Sequence, residues 1–344
     1  TDVSGSGSPD GRTPVGTIDS DHGTLVASIA AGRGKKDGTG MIGVAPEANL
    51  LSVSIGFGAA AVVPFVEQLE KGIRWAVDNG ADIINMSLTT NTLDWDESWD
   101  DAFLYAFEHD VVVVVAAGNR GSGTSVIGAP ATIPGVLPVA GVDQTGIASQ
   151  EASTQGITIG ISAPSEGLLG IAADGTLTHW KGTSGAAPIV AGVAALIRSA
   201  HPELDAANVI NRIIKTAIPV PGVEQVPDPL YGYGLLDAKK AVSASVPLVD
   251  ENPMGDLAEW VRLYRRAEAD PLPAPELTPV EIEPLPAPEP PTEAGSPLLP
   301  SAESLRYGTL PLMALTVPGI LIGLGVTAAA RRIRTARAQR TPAP

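Results

Sequence analysis

The sequence predicts an α/β fold built on a mostly parallel sheet, followed near its end by one membrane-spanning helix. Three observations carry that expectation. Unbroken β-branched runs, Val111 to Val115 above all, read as strands covered on both faces, which is the mark of a parallel sheet. Between such runs lie stretches with helical spacing, such as Pro64 to Asn79, where Val66, Leu69, Ile73 and Val77 form one stripe. Leu310 to Ala330 holds no charged side chain; as a helix it is about 30 Å long, the thickness of a bilayer's hydrocarbon core. Composition agrees, because 44% of the 344 residues are hydrophobic but only 4% are aromatic, so the core must be aliphatic.

Taken in order, residues 1–21 are rich in Gly, Ser, Pro and Asp and read as a surface loop. His22 to Ala31 turns helical and stops at Gly32-Arg33-Gly34. A glycine-rich loop, Lys35 to Gly43, leads to a short strand at Asn49 to Ile55. The helix over 64–79 ends at Asn79-Gly80, and Asp82 to Leu88 forms the next strand. Asp94, Asp96, Glu97, Asp100 and Asp101 alternate with Trp95 and Trp99 but lack the Asp-x-Asp-x-Asp-Gly spacing of a calcium loop. This run reads as a solvated loop and the start of a helix that continues from Ala102 to His109. Strands follow at 111–115, 136–142 and 157–163, then a hairpin from Leu168 to Trp180 turning at Asp174-Gly175. Ile189 to Ala200 is a long apolar helical pattern, and Asp205 caps a further helix over 206–216. Helices at Ala238 to Ser245 and Asp256 to Ala269 complete the run before the Pro-rich segment.

Three stretches carry chemistry. Gly182-Thr183-Ser184-Gly185-Ala186-Ala187-Pro188 places a serine at the mouth of a buried helix, where free N–H groups and the helix dipole favour a developing oxyanion. By itself such a pattern is far more often just a helix cap, here on Thr183 or Ser184. His22-Gly23-Thr24-Leu25-Val26 puts an imidazole at a helix start, and Ala116-Ala117-Gly118-Asn119 puts a carboxamide at the end of the valine strand. In the order His, Asn, Ser, these stretches resemble the subtilisin-like serine peptidases over about residues 1–245. The closing Tyr231-Gly232-Tyr233-Gly234-Leu235-Leu236-Asp237 is similar to that family's last segment. The resemblance implies a subtilisin-like three-layer sandwich. It implies His22 as general base, Ser184 as nucleophile and Asn119 as oxyanion donor beside the Ser184 N–H. Ser87-Leu88-Thr89 stands where the family pairs with substrate backbone, with Thr89 in place of the usual Gly, a change that narrows the cleft or shifts specificity. Gly118 gives the sharp turn before Asn119, and Gly128-Ala129-Pro130-Ala131 resembles the floor of the primary specificity pocket.

The family's catalytic Asp precedes the His on a strand, in an Asp-Thr/Ser-Gly context, and no such run precedes His22. Asp2, Asp10, Asp19 and Asp21 are the upstream carboxylates; Asp19 and Asp21 resemble the acidic lead-in to the histidine, and Asp2 resembles the segment after the first strand. The expectation is a fragment whose first strand and catalytic Asp lie before Thr1, nearly inactive as it stands, because loss of the triad Asp costs about 10⁴ in turnover. The alternative is a degenerate, inert structural or binding subunit of a membrane secretion complex.

The rest of the composition narrows partners. A net charge of −16 argues against nucleic acid, and the absence of cysteine removes disulfides, thiol catalysis and Cys-based zinc sites. No cofactor or metal is expected, and a structural calcium has no assignable ligands. The predicted organisation is a peptidase domain at 1–247, a juxtadomain segment at 248–270, a Pro-rich spacer at 271–308, a transmembrane helix at 309–330 and a basic tail at 331–344. Arg331, Arg332, Arg334, Arg337 and Arg340 directly after the apolar helix predict a cytoplasmic C-terminus and an extracytoplasmic peptidase domain. Together with His-Gly-Thr-Leu-Val, the anchor resembles that of the mycosins, peptidases of type VII secretion. The resemblance thus implies a protein or peptide substrate, a membrane and secretion-system components as partners.

Overall fold

The computed structural model describes residues 1–8, 10–14, 20–58, 61–265 and 305–338. It divides into two compact units, residues 1–270 and 271–344. In the first, four parallel strands run side by side in the order β1 (Ile83–Met86), β2 (Val112–Ala116), β3 (Leu137–Val142) and β4 (Ile161–Pro164). Strand β2 is buried along its whole length. Its alternate side chains feed two cores, as the period-2 pleat requires. Val113 and Val115 pack with α2 (Phe65–Asp78) and α3 (Ser98–Glu108), through Leu69, Ile73, Trp99 and Phe103. Val112 and Val114 pack with α4 (Thr183–Ala200) and α5 (Ala206–Lys215), through Val190, Ile197, Val209 and Ile213. The sheet is therefore the middle of three layers, which is why its strands carry no polar alternation.

Helix α1 (His22–Ala31) lies outside α4. Gly185 makes that approach possible: a Cβ there would sit 2.3 Å from Leu168 Cδ1 and 3.3 Å from Ile29 Cδ1. An antiparallel hairpin, β5 (Leu168–Ile171) and β6 (Leu177–Trp180), delivers the chain to α4. Asp205 and Asp237 cap α5 and α6 (Ala238–Ser243), each accepting a backbone N–H three residues on.

Three sequence expectations need correction. Asn49 to Ile55 forms no extended ladder among the described residues: a single parallel bridge joins Ser54 to Asp2. The strand expected at 157–163 begins only at Ile161, and Ile157 is 87% exposed. The acidic run is not wholly solvated, since Trp99 and Asp100 are buried and belong to α3. Asp100 tolerates burial because Arg265 Nε donates to it at 2.8 Å and Trp95 Nε1 at 2.6 Å. That Arg265 follows α7 (Leu257–Tyr264), whose Leu257 is 1% exposed in the core shared by α2 and α3, so the juxtadomain segment is packed onto the domain. The guanidinium also lies over the rings of Trp95 and Trp260, at 5.6 and 5.3 Å from their centroids.

In the second unit one wide turn, Leu305–Thr309, precedes α8 (Leu310–Ala338), whose described side chains are exposed from end to end. The helix runs on past the expected end at residue 330, through the arginines. Thr316 and Thr327 bond back to the carbonyls of Leu312 and Leu324, which satisfies hydroxyls in an otherwise apolar stretch. Most of the expected spacer, residues 271–304, and the last six residues of the tail lie outside the described residues.

Candidate active site

The cleft forms where β1 and β2 part company. Their ladder stops at Met86 and Val115, whereas β2 continues against β3, with Ala117 N–H donating to Val139 O at 3.0 Å. Beyond that point Ser87-Leu88-Thr89 and Ala116-Ala117-Gly118 are two separate edges at the carboxyl ends of parallel strands, the usual place for a ligand in an α/β sheet. Gly118 takes φ +105°, and a Cβ there would sit 2.6 Å from Thr124 Cγ2, so only glycine fits.

Asn119 follows that turn, and its orientation is fixed. The Thr183 N–H donates to Asn119 Oδ1 at 2.7 Å and the Thr183 hydroxyl at 3.1 Å. Thr183 Oγ1 in turn accepts the Gly118 N–H at 3.0 Å. With Oδ1 occupied, the amide's Nδ2 turns the other way, and it has no acceptor among the described residues. Thr183 is fully buried, so this lock is shielded from water.

Ser184 lies in the first turn of α4, half-buried. Its N–H has no acceptor among the described residues, as expected at a helix N-terminus. Its carbonyl is held in an unusual way. Residue i+4 is Pro188, which has no N–H, so the normal helical bond to Ser184 O cannot form. The Ser87 hydroxyl donates to that carbonyl instead, at 2.7 Å. The Ser184 hydroxyl donates to Ser87 O at 3.3 Å. The two bonds tie the serine to the edge of the cleft from both sides.

His22 opens α1, its ring edge-on to Trp180, with centroids 6.0 Å apart, and Trp180 lies four residues before Ser184. The start of α1 is tied to the β5–β6 turn by Asp21, whose Oδ1 accepts the Ala173 N–H at 2.8 Å. The other upstream carboxylates serve their own loops. Asp2 accepts from Ser4, Gly7 and Ser8, and Asp10 from Arg12 N–H; Asp19 lies outside the described residues. Burial pushes the Asp2 carboxyl up, but the Ser4 hydroxyl and the surrounding N–H groups outweigh it and hold it below its usual range.

The floor segment is stitched to the cleft edge. Thr90 N–H donates to Ala129 O at 2.7 Å, Ala129 N–H to Thr92 O at 2.8 Å, and the Thr89 hydroxyl to Gly128 O at 3.3 Å. The Ala129-Pro130 bond is cis. The sequence reading did not give Thr183, Pro188 or Thr124 a role here. Pro188 was a visible signal, since a proline within a helical pattern always frees one carbonyl.

Comparison with known proteins follows from this geometry. The family model described as "Subtilase family" matches residues 2–234. Subtilisin DY of Bacillus licheniformis is 35% identical over 227 residues, covering 64% of this chain and 77% of that protein. Mycosin-4 of Mycobacterium tuberculosis is 33% identical over 279 residues, covering 68% of this chain and 60% of that protein. The crystal structure of MycP1 with its N-terminal propeptide removed superposes with a TM-score of 0.59 at 30% identity, over 68% of this chain and 82% of that one. The MycP3 protease from the type VII (ESX-3) secretion system gives a TM-score of 0.56 at 31% identity, over 65% and 73%.

Proposed function

The chain belongs to the subtilase family, whose members compared above are serine endopeptidases, and on that premise we propose that it is a membrane-anchored endopeptidase working through Ser184. The observation that carries this reading is the pair of free donors at the start of α4, one on Ser184 itself and one on the carboxamide bonded to the residue before it. Asn119 Nδ2 and the Ser184 N–H have no acceptor among the described residues, and the carboxamide is locked by Thr183. Such preorganised donors stabilise negative charge as it develops, at no cost of reorganisation during the reaction.

His22 takes the proton of the Ser184 hydroxyl as Oγ attacks the scissile carbonyl, and the carbonyl oxygen becomes an oxyanion between the two donors. The imidazolium gives its proton to the leaving amine. Water, deprotonated by the same imidazole, then attacks the acyl-enzyme and frees Ser184. Peptide substrate lies along Ser87-Leu88-Thr89 as an added strand, with the side chain before the scissile bond entering between that edge and Ala116-Ala117-Gly118.

The 31-residue span Leu305–Thr335 is apolar and unburied, and supports a membrane anchor, whereas α4, which is long enough but less apolar and mostly buried, is a core helix. Five arginines at 331–340 make up the C-terminal end of that span and the residues just beyond, so the C-terminus is cytoplasmic and the peptidase faces the other side. The kinship with mycosin-4 and MycP3 supports a role in processing proteins handled by a secretion system. A fluorophosphonate probe tests the reading: it labels the chain slowly, because the sequence supplies no Asp in the family's Asp-Thr/Ser-Gly context to orient His22, and Ser184→Ala abolishes that labelling. An unlabelled but folded chain points instead to an inert subunit of a membrane complex.

A further inference from the structure

The slot between the two cleft edges is already occupied by a side chain of the protein. Thr89 stands on one edge, and its hydroxyl reaches the floor at Gly128 O, 3.3 Å away, while also donating to Thr90 O at 2.9 Å. Its methyl reaches the opposite edge: a Cβ built on Gly118 would meet Thr89 Cγ2 at 3.3 Å. The same virtual Cβ would meet Thr124 Cγ2 at 2.6 Å, and Thr124 is buried. Two threonine methyls therefore converge on the space beside Gly118, and that of Thr89 enters it from the opposite edge of the slot. The hydroxyl bonds fix the Thr89 rotamer, and a β-branched residue has few alternatives at χ1.

The scissile carbonyl has only one place to sit, between Ser184 Oγ and the two free donors. The side chain just before it, called P1, then faces the slot. From the position of Thr89 we infer that this chain is selective for a small P1 residue, Ala, Gly or Ser, and excludes Leu, Phe and Tyr by direct collision with the Thr89 methyl. The inference rests on the peptidase reading for the register of the substrate and adds the class of peptide accepted. Closely packed sites do not yield without strain, so a large P1 side chain must displace Thr89 and break both of its hydroxyl bonds.

The test uses the full chain in detergent and separates binding from chemistry. In the Ser184→Ala protein, peptides that differ only at P1 are titrated by calorimetry. The Ala peptide binds about tenfold to a hundredfold tighter than the Phe peptide, the range that a few methylenes in a fitted pocket give. Thr89→Gly, added to Ser184→Ala, removes or reverses that preference. Thr89→Ser, which keeps the floor bond and drops the methyl, falls between them. Equal affinities for Ala and Phe peptides, a preference that survives Thr89→Gly, or no binding by any of the peptides would overturn the inference. Fluorophosphonate labelling of the unsubstituted chain, run alongside, reports on the peptidase reading independently. A labelled protein with no P1 discrimination sinks only the selectivity.

Discussion

Asn119 shows how much a single residue's role depends on its neighbour. A carboxamide has two ends of opposite hydrogen-bonding character, and only Nδ2 suits an oxyanion. Thr183 decides which end faces the cleft, by spending both its N–H and its hydroxyl on Oδ1. Asn119→Ala should therefore slow acylation by a fluorophosphonate by about 10²- to 10³-fold. Affinity for a ground-state peptide should hardly change, because the lost bond belongs to the transition state. A matching fall in both quantities would assign Asn119 to binding rather than to charge stabilisation. The asparagine itself was legible in the sequence, since Ala-Ala-Gly-Asn closes a valine strand. Thr183 was not, because its partner is 64 residues away and only the fold joins them.

At the scale of the element, α4 is an apolar helix with one deliberate gap in its hydrogen bonding. Pro188 leaves Ser184 O without a helical donor, and Ser87 fills the vacancy from across the cleft. Helix α4 is thereby fastened to the Ser87–Thr89 edge through the proposed nucleophile. Ser87→Ala should destabilise the fold by about 1 kcal/mol, the net worth of one half-buried hydrogen bond. In a Pro188→Ala background the restored N–H at 188 takes over that carbonyl, and the cost of Ser87→Ala should shrink. Urea denaturation of the four proteins in the cycle measures the coupling, and additive effects would contradict it. Helix and strand identities were largely readable from periodicity, because the two patterns differ so clearly in this chain. Where the reading failed, at 49–55 and in the acidic run, the outcome turned on a partner distant in sequence. Ser54 makes one isolated bridge, to Asp2, and Asp100 finds Arg265, 165 residues on.

For the molecule as a whole, acidity should be a weakness. Asp37, Asp143 and Asp174 each accept from a threonine two residues on, by hydroxyl and N–H together, which holds each carboxyl below its usual range. Asp2 is held low by its own loop despite some burial. A carboxyl lowered in the folded state binds protons more readily when unfolded, so acid favours the unfolded chain. The stabilisation is complete above about pH 4, the unfolded range, and disappears as pH falls through the lowered folded values. The urea midpoint should be flat from pH 7 to 5 and drop toward pH 3; a midpoint unchanged at pH 3 would mean that these turns contribute nothing. The abrupt change of composition after residue 270 is plain in the sequence. The docking of α7 was not visible, since its stripe is short and its arginine looks like any surface charge. Yet that arginine works as a rivet. Any tug on the backbone at residue 265 is borne first by a guanidinium that lies against two adjoining indoles and is pinned to Asp100 and Glu97, at the start of α3 and not at the cleft.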